Sequence, residues 1–299
     1  MHRRLLVVAF AVLFAAPLLH ASCGSASCPL ETSALFLPFA RGFTLDLSLQ
    51  SIDQDQPRIG TRAAHPGEIA GPDHDEVRTV NRIATALLTY APTSRLHLSA
   101  SIPYVSRDHD HLASTVPESW HLDGVGDMVL QARAKVAGRV WVIGGVKLPT
   151  GEHELRNDDG EVAELPVQPG SGTTDGIAGV SYQGRWFFTA TYQFRTGAAD
   201  GYRLGNELQL STGSVHAFTP RLDLLLQLNA RVRAKDRIEG EPEEEPFTGG
   251  TYVYASPGLR FSLQRAAVYA IVQVPLRQDV NALQLTAERN YVMGLQTRF

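Results

Sequence analysis

The feature that most constrains this chain is a regular alternation of apolar and polar residues, repeated in segment after segment. In Phe43–Gln50 every odd-numbered residue is apolar and every even-numbered residue is polar. Because successive side chains of a strand point to opposite faces, this segment predicts a strand with one apolar and one polar face. The pattern predicts about twelve strands, at residues 43–50, 77–90, 96–104, 128–136, 140–148, 174–182, 186–196, 204–216, 222–235, 251–262, 267–276 and 285–299.

The connections between these segments alternate in length. Short turns are predicted near Thr93, Gly138, Gly184, Pro220 and Gln264, and long polar loops at 53–76, 107–123, 151–173 and 236–250. A soluble sandwich has no reason to sort its loops in this way, whereas outer-membrane barrels have short periplasmic turns and long extracellular loops. The sequence therefore predicts an all-β protein in which residues 42–299 form a single antiparallel transmembrane β-barrel.

The start of the chain has the layout of an export signal. A basic segment, Met1–Arg4, precedes the apolar run Leu5–Leu19, and small residues follow at Ala21 and Ser22. We therefore expect residues 1–21 to be a signal peptide. No later apolar run is long enough for a transmembrane helix. The expected location is the bacterial outer membrane.

The last segment, Tyr291–Phe299, alternates and ends on an aromatic residue. In a closed barrel the final strand pairs with the first, which removes the sheet edge, and its apolar side chains face lipid. A terminal Phe299 resembles the address that the outer-membrane assembly machinery reads. Outer-membrane lipid and that machinery are therefore the expected partners, together with a small-molecule solute.

Residues 22–41 are expected to be a periplasmic segment that folds into the barrel as a plug, led by the apolar run at 34–39. The segment holds the only two cysteines, Cys23 and Cys28. In an oxidising compartment this pair predicts a small disulfide loop. Two alternatives stay open: a metal clip, in which two thiolates fill half a tetrahedral site, and lipid attachment at Cys23.

The composition agrees with alternating strands. The chain has 43% hydrophobic residues and only 19% charged residues, where soluble domains have about a quarter. The formal net charge of −4 gives no reason to expect nucleic acid as a partner.

Two short motifs resemble a known family. Gly124-Val125-Gly126-Asp127 and the segment Gly144–Gly151 (GGVKLPTG) are similar to those of the outer-membrane transporters named for the meta-pathway of phenol degradation. The resemblance covers most of residues 40–299, and it implies a barrel that passes small, sometimes aromatic or hydrophobic, molecules. It implies no agreed catalytic residue and no cofactor.

The polar faces of the predicted strands carry cations that a packed core would bury at high cost. In a wet barrel they would line the lumen and favour anions wherever their charge is not neutralised. The predicted lumen residues are Arg133, Lys135, Lys147, Arg231 and Arg233. Tyr90, Tyr104 and Tyr291, with Tyr252 or Tyr254, are expected in the aromatic girdles.

Histidines collect in the predicted loops among Asp and Glu residues, and imidazole with carboxylate suits divalent transition metals. His109 and His111, two residues apart on an extended segment, should place both rings on one side. The candidate metal ligands are His65, His74, His109, His111 and His121. The alternative is that these loops are solvated and bind nothing. A metal-binding barrel without conduction is therefore the second hypothesis, and a purely structural barrel the third.

Enzymatic activity is not expected. Ser214 and His216 share a face of one strand without a visible third partner, and the segment Asp108–His111 only superficially resembles the site of a barrel protease. Neither group has a defined base, nucleophile and oxyanion partner. The sequence thus predicts an outer-membrane channel for small solutes, with no catalytic residue.

Overall fold

The computed structural model describes Leu30 and residues 41–68, 75–113, 116–156, 160–244 and 246–299. Within these residues the only helical element is a single 3-10 turn, Leu165–Val167. No helix in the described part of the chain is long and apolar enough to cross a membrane.

The remaining elements are strands. They are β1 (Gly42–Gly60), β2 (Arg62–Ala63), β3 (Asp75–Thr93), β4 (Leu96–Ala113), β5 (Val116–Val125), β6 (Met128–Ala137), β7 (Val140–Leu148), β8 (Asp175–Gln183), β9 (Trp186–Arg195), β10 (Tyr202–Arg203), β11 (Glu207–Ala217), β12 (Leu222–Arg233), β13 (Arg237–Ile238), β14 (Gly250–Ser262) and β15 (Ala266–Arg298).

The strands close into an antiparallel barrel. Around the wall the order is β1, β3, β4, β6, β7, β8, β9, β11, β12, β14 and β15, and β15 pairs back with β1. The long β15 doubles back near Ala282, where φ is +49°. Its first leg pairs with β14 and its second leg with β1. Because β15 contributes two legs, these eleven strands form a wall of twelve strand segments. This confirms the predicted barrel and its closure by the last strand.

Several strands extend beyond the predicted limits. The prediction of loops at 53–76 and 107–123 is wrong for most of these residues, because β1 continues to Gly60 and β4 and β5 form a long hairpin. Both faces of these extensions are polar. On the outer face, for example, Arg78 Nη2 lies 2.6 Å from Asp53 Oδ2. A strand wet on both faces shows no alternation, so the pattern stops while the backbone pairing continues.

The outer face of the barrel wall forms an apolar belt. Leu47 on β1, Leu228 on β12 and Met293 on β15 are 45%, 49% and 57% exposed, although they are large aliphatic side chains. Tyr90, Tyr104 and Tyr291 also lie exposed on this face, as predicted for girdle residues. Tyr252 and Tyr254 were also predicted as girdle candidates, and this prediction is wrong because both point inward and are buried.

We expect an arginine in the middle of this belt to destabilise the barrel strongly. Leu228→Arg should cost about 2–4 kcal/mol in a bilayer, because the charge would face hydrocarbon. Val232→Arg, on the same face but near the extracellular end of β12, should cost about 0–1 kcal/mol. Urea unfolding in phospholipid vesicles, followed by tryptophan fluorescence, measures both. Equal costs for the two variants would contradict the membrane position assigned to the belt.

Candidate channel interior

The inner face of the barrel is polar and encloses a cavity of about 410 Å³. Its wall is formed mostly by Ser, Thr and Gln side chains of β1, β3, β4, β6, β9 and β11. Among the described lining residues, Asp46 is the only carboxylate, and Arg133 and His97 are the only basic side chains. Five aliphatic side chains complete the wall: Leu30, Leu87, Val129, Ile177 and Val292. The cavity can hold water and small amphipathic molecules.

The cavity is off-centre because the other side of the barrel is filled. Towards the periplasmic end, Phe187, Leu225, Tyr269, Ile271 and Val292 form a hydrophobic cluster inside the wall. Above it, polar side chains bond directly to one another, and a typical link is the 2.7 Å bond that the Ser256 hydroxyl donates to Asn229 Oδ1. Since many of these groups bond to one another across the strands, the described residues leave the lumen open mainly beside β1 to β11.

A belt of buried charges surrounds part of the lumen near its extracellular end; we call it the charged belt. Its members are Asp127, Lys147, Asp175, Arg195, Glu207, Arg231, Arg233 and Asp236. Lys147 Nζ lies 2.7 Å from Asp127 Oδ2 and 3.0 Å from Asp175 Oδ2. Four carboxylates thus face four cations, and the belt is formally neutral. Each charged group has an oppositely charged partner, because an unpaired buried charge would strongly destabilise the barrel.

Asp127 holds the loop between β7 and β8, residues 149–174, which we call the inner loop. Its Oδ1 accepts a 3.0 Å bond from the Gly151 N–H, at the start of the loop. Its Oδ2 accepts bonds from the N–H and the hydroxyl of Ser171, at 2.9 and 2.7 Å, near the end of the loop. One carboxylate therefore clamps both ends of the inner loop to the wall.

Three glycines allow this close approach. A Cβ on Gly151 would lie 2.7 Å from the Gly126 carbonyl carbon and 2.7 Å from Gly170 Cα. A Cβ on Gly170 would lie 2.5 Å from the Gly151 carbonyl carbon. These atoms are backbone and have little room to move, so the crossing of the two loop ends requires residues without side chains.

Described residues of the inner loop pack against the inner face of β4 and β5. Ala163 and Val167 are buried in a cluster with Leu122 of β5. Arg107 on β4 donates a 3.3 Å bond to the Pro166 carbonyl oxygen. The sequence predicted a long polar loop here, and the structure shows it folded back over the extracellular end of the lumen. The inner loop therefore narrows the entrance above the cavity.

The five predicted lumen residues all lie on the inner face but in three settings. Lys147, Arg231 and Arg233 belong to the charged belt, where carboxylates pair with them. Arg133 lines the cavity. Lys135 lies near the periplasmic turn, with Nζ 6.0 Å from the centre of the Trp141 ring. The predicted preference for anions depends on charge that is not neutralised, and carboxylates pair with Lys147, Arg231 and Arg233, so these three residues give it no support.

The predicted metal ligands are only partly brought together. His109 and His111 stack with ring centres 5.3 Å apart, on the inner face, as their spacing predicted. His121 lies on the outer face of the same hairpin, paired with Asp108 at 2.7 Å. His65 is exposed in a separate loop, and His74 lies outside the described residues. Where side chains are described, no cluster of three or more metal-ligating groups occurs. Metal binding therefore stays a prediction.

The two faces of this extracellular hairpin titrate differently. Burial lowers the pKa of His109 to about 3, and its Nδ1 lies 2.8 Å from the Thr79 hydroxyl. The bond to Asp108 raises the pKa of the exposed His121, and the same contact lowers the pKa of Asp108. Burial thus favours the neutral ring of His109, whereas the contact with Asp108 favours protonation of His121 on the surface.

The amino-terminal segment is represented by one described residue. Leu30 lies inside the barrel, where it lines the cavity and packs against the hydrophobic cluster around Phe187. Cys23, Cys28 and the apolar run at 34–39 lie outside the described residues. The plug and the disulfide therefore remain predictions, and Leu30 is the contact on which a plug would be built.

Ser214 and His216 share a face of their strand, as predicted, and they form a hydrogen bond with Oγ and Nε2 2.8 Å apart. Ser214 is only 1% exposed, however, and so an attacking hydroxyl could not reach a substrate. A hydrogen-bonded serine and histidine without access or an oxyanion site is a structural contact.

The sequence analysis missed the carboxylates of the interior: Asp46, Asp175, Glu207 and Asp236. Asp46 and Asp175 occupy polar positions in the alternation of their strands, so this pattern could have identified them as inward-facing residues. Their partners follow only from the register between strands, where Lys147 stands opposite Asp175. Asp127 was quoted as part of a motif, but nothing in the motif showed that it clamps a loop.

Several solved structures are similar to this fold. An outer membrane channel from Pseudomonas putida F1 has a TM-score of 0.64 at 12% identity, covering 88% of this chain and 97% of that chain. The translocator domain of the autotransporter NalP from Neisseria meningitidis has a TM-score of 0.50 at 8% identity, covering 89% and 91%. The P. putida toluene transporter TodX has a TM-score of 0.49 at 12% identity, covering 92% and 96%.

No protein-family model and no curated protein matches the sequence. The similarities are therefore similarities of fold. Together with the apolar belt, that fold assigns the protein to the outer membrane.

Proposed function

We propose that this protein is an outer-membrane channel that passes small organic solutes through its lumen. The observation that carries the proposal is the cavity of about 410 Å³ enclosed by polar side chains within a closed, lipid-facing barrel. The similar fold of an outer membrane channel supports the same class of function, as does the resemblance of the GVGD and GGVKLPTG segments to small-molecule transporters.

The interior also bears on the kind of solute. The charged belt is formally neutral, and the cavity wall combines hydroxyl and amide groups with aliphatic side chains. Neither strong anion nor strong cation selection follows from such a wall. Uncharged or weakly polar organic molecules are the solutes that it fits, and the inner loop limits their size.

The proposal predicts a measurable pore of low selectivity. Refolded protein in a planar bilayer should give discrete, small conductance steps, with little preference between potassium and chloride because the charged belt is neutral. Bilayers that received the same detergent without protein are the control. Absence of steps, together with no acceleration of vesicle swelling in an uncharged sugar such as arabinose, would contradict a channel. Zinc added during the same recording tests the separate prediction that His109 and His111 bind metal.

A further inference from the structure

Among the residues that the structure describes, two buried polar atoms of the cavity wall have no hydrogen-bond partner. They are Oδ2 of Asp46, on β1, and Oγ1 of Thr189, on β9. Both residues line the cavity, and they are only 4% and 6% exposed. Buried polar atoms without partners are rare in folded proteins because leaving them unpaired is unfavourable. A ligand in the cavity is a physical reason for keeping them.

The wall around Asp46 has a definite pattern. In the strand register Asp46 stands beside Leu87 of β3, Leu87 beside Ser101 of β4, and Ser101 beside Val129 of β6. All four side chains line the cavity. Adjacent strands are about 4.8 Å apart, so a hydrogen-bond acceptor lies next to an aliphatic surface on the scale of a small molecule.

The other oxygen of Asp46 is already in use. The Tyr269 hydroxyl donates a 2.9 Å bond to Asp46 Oδ1, and this bond fixes the orientation of the carboxyl group. Oδ2 is left as an acceptor for a donor that the described residues do not supply. If the two legs of β15 are counted separately, five strand segments separate β1 from β9 in each direction around the wall. Asp46 and Thr189 therefore lie on opposite sides of the lumen.

We propose that the cavity contains a binding site for one small neutral alcohol, a molecule with a hydroxyl group and an apolar body. Its O–H donates to Asp46 Oδ2, and its body lies against Leu87. Thr189 bonds a second polar group or a water on the opposite side. Asp46 disfavours anionic solutes, and a neutral O–H donor supplies the bond that Oδ2 lacks. The site rests on the proposed channel function and adds the chemical class of solute to it.

Benzyl alcohol and toluene form the matched probes, because they share the ring and differ in the hydroxyl. Isothermal titration of the refolded full-length protein in micelles should show tighter binding of benzyl alcohol. In Asp46→Asn the Tyr269 bond holds the amide oxygen, so an N–H replaces the free acceptor. Benzyl alcohol should then bind about ten-fold more weakly, the effect of one lost hydrogen bond to a carboxylate, and toluene should bind as before.

Thr44→Val is the control, since Thr44 lies two residues from Asp46 on the same inner face and outside the cavity lining. Thr189→Val is the second variant, with a smaller loss expected for benzyl alcohol only. Folding of each variant is checked by the heat-dependent gel shift of barrels. Unchanged benzyl alcohol binding in Asp46→Asn, or equal losses for both probes, would overturn the site. Planar-bilayer conductance is recorded separately, so a pore without this site is distinguished from a barrel without a pore.

Discussion

Asp127→Ala is expected to release the inner loop and to raise the single-channel conductance several-fold. The substitution removes the acceptor shared by Gly151 and Ser171, so both ends of the loop lose their attachment to the wall. It also removes one of the two carboxylates paired with the buried Lys147. Breaking a buried pair of this kind costs about 3–5 kcal/mol. Urea unfolding and planar-bilayer recording measure the two effects.

Asp223→Ala is the matched control for this experiment. Asp223 also pairs with a cation, Arg260, at 2.8 Å, but this pair lies near the periplasmic end of β12 and does not touch the inner loop. Its loss should reduce stability and leave conductance unchanged. If Asp127→Ala folds and conducts like the wild type, the inner loop does not restrict the lumen. If both variants conduct more, the effect is a general loosening of the barrel.

The barrel could be predicted because its cause is local. Alternation in segments such as Phe43–Gln50 depends only on which face of one strand meets lipid, and the closing pair of β1 and β15 follows from the requirement that no edge is left in the membrane. The extensions of β1, β4 and β5 were missed for the same reason. Above the membrane both faces meet water, and no periodic signal records that the strands continue to pair.

The interior could not be predicted to the same depth because its contacts are long-range. Asp127 and Ser171 are 44 residues apart in sequence, and their contact depends on where the inner loop re-enters the barrel. A segment rich in Gly, Pro and Asp is typical of a solvated loop, and its composition does not distinguish that state from a loop folded inward. Likewise, the alternation of polar and apolar residues identified inward cations such as Arg231. The pairing of Arg231 with Glu207 could not be identified in this way, because it depends on the register between neighbouring strands.

The glycine crossing should be the most sensitive point of the inner loop. We expect Gly151→Ala to destabilise the barrel by about 1–3 kcal/mol or to prevent the clamp from forming, because one methyl group would overlap two backbone segments. Gly144→Ala is the control in the same GGVKLPTG segment: nothing lies within 4 Å of the added Cβ, and its cost should stay within about 0.5 kcal/mol.

The two substitutions add the same atom to the same motif, so their difference isolates the crossing. Urea unfolding gives the stability of each variant, and bilayer recording shows whether Gly151→Ala conducts more, as Asp127→Ala should. A stable Gly151→Ala variant with wild-type conductance would mean that the two loop ends do not cross at Gly126 and Gly170. Loss of stability with increased conductance would instead show that the glycine crossing and the Asp127 carboxylate act together as one clamp. In that case neither of them alone is sufficient to hold the inner loop in the lumen.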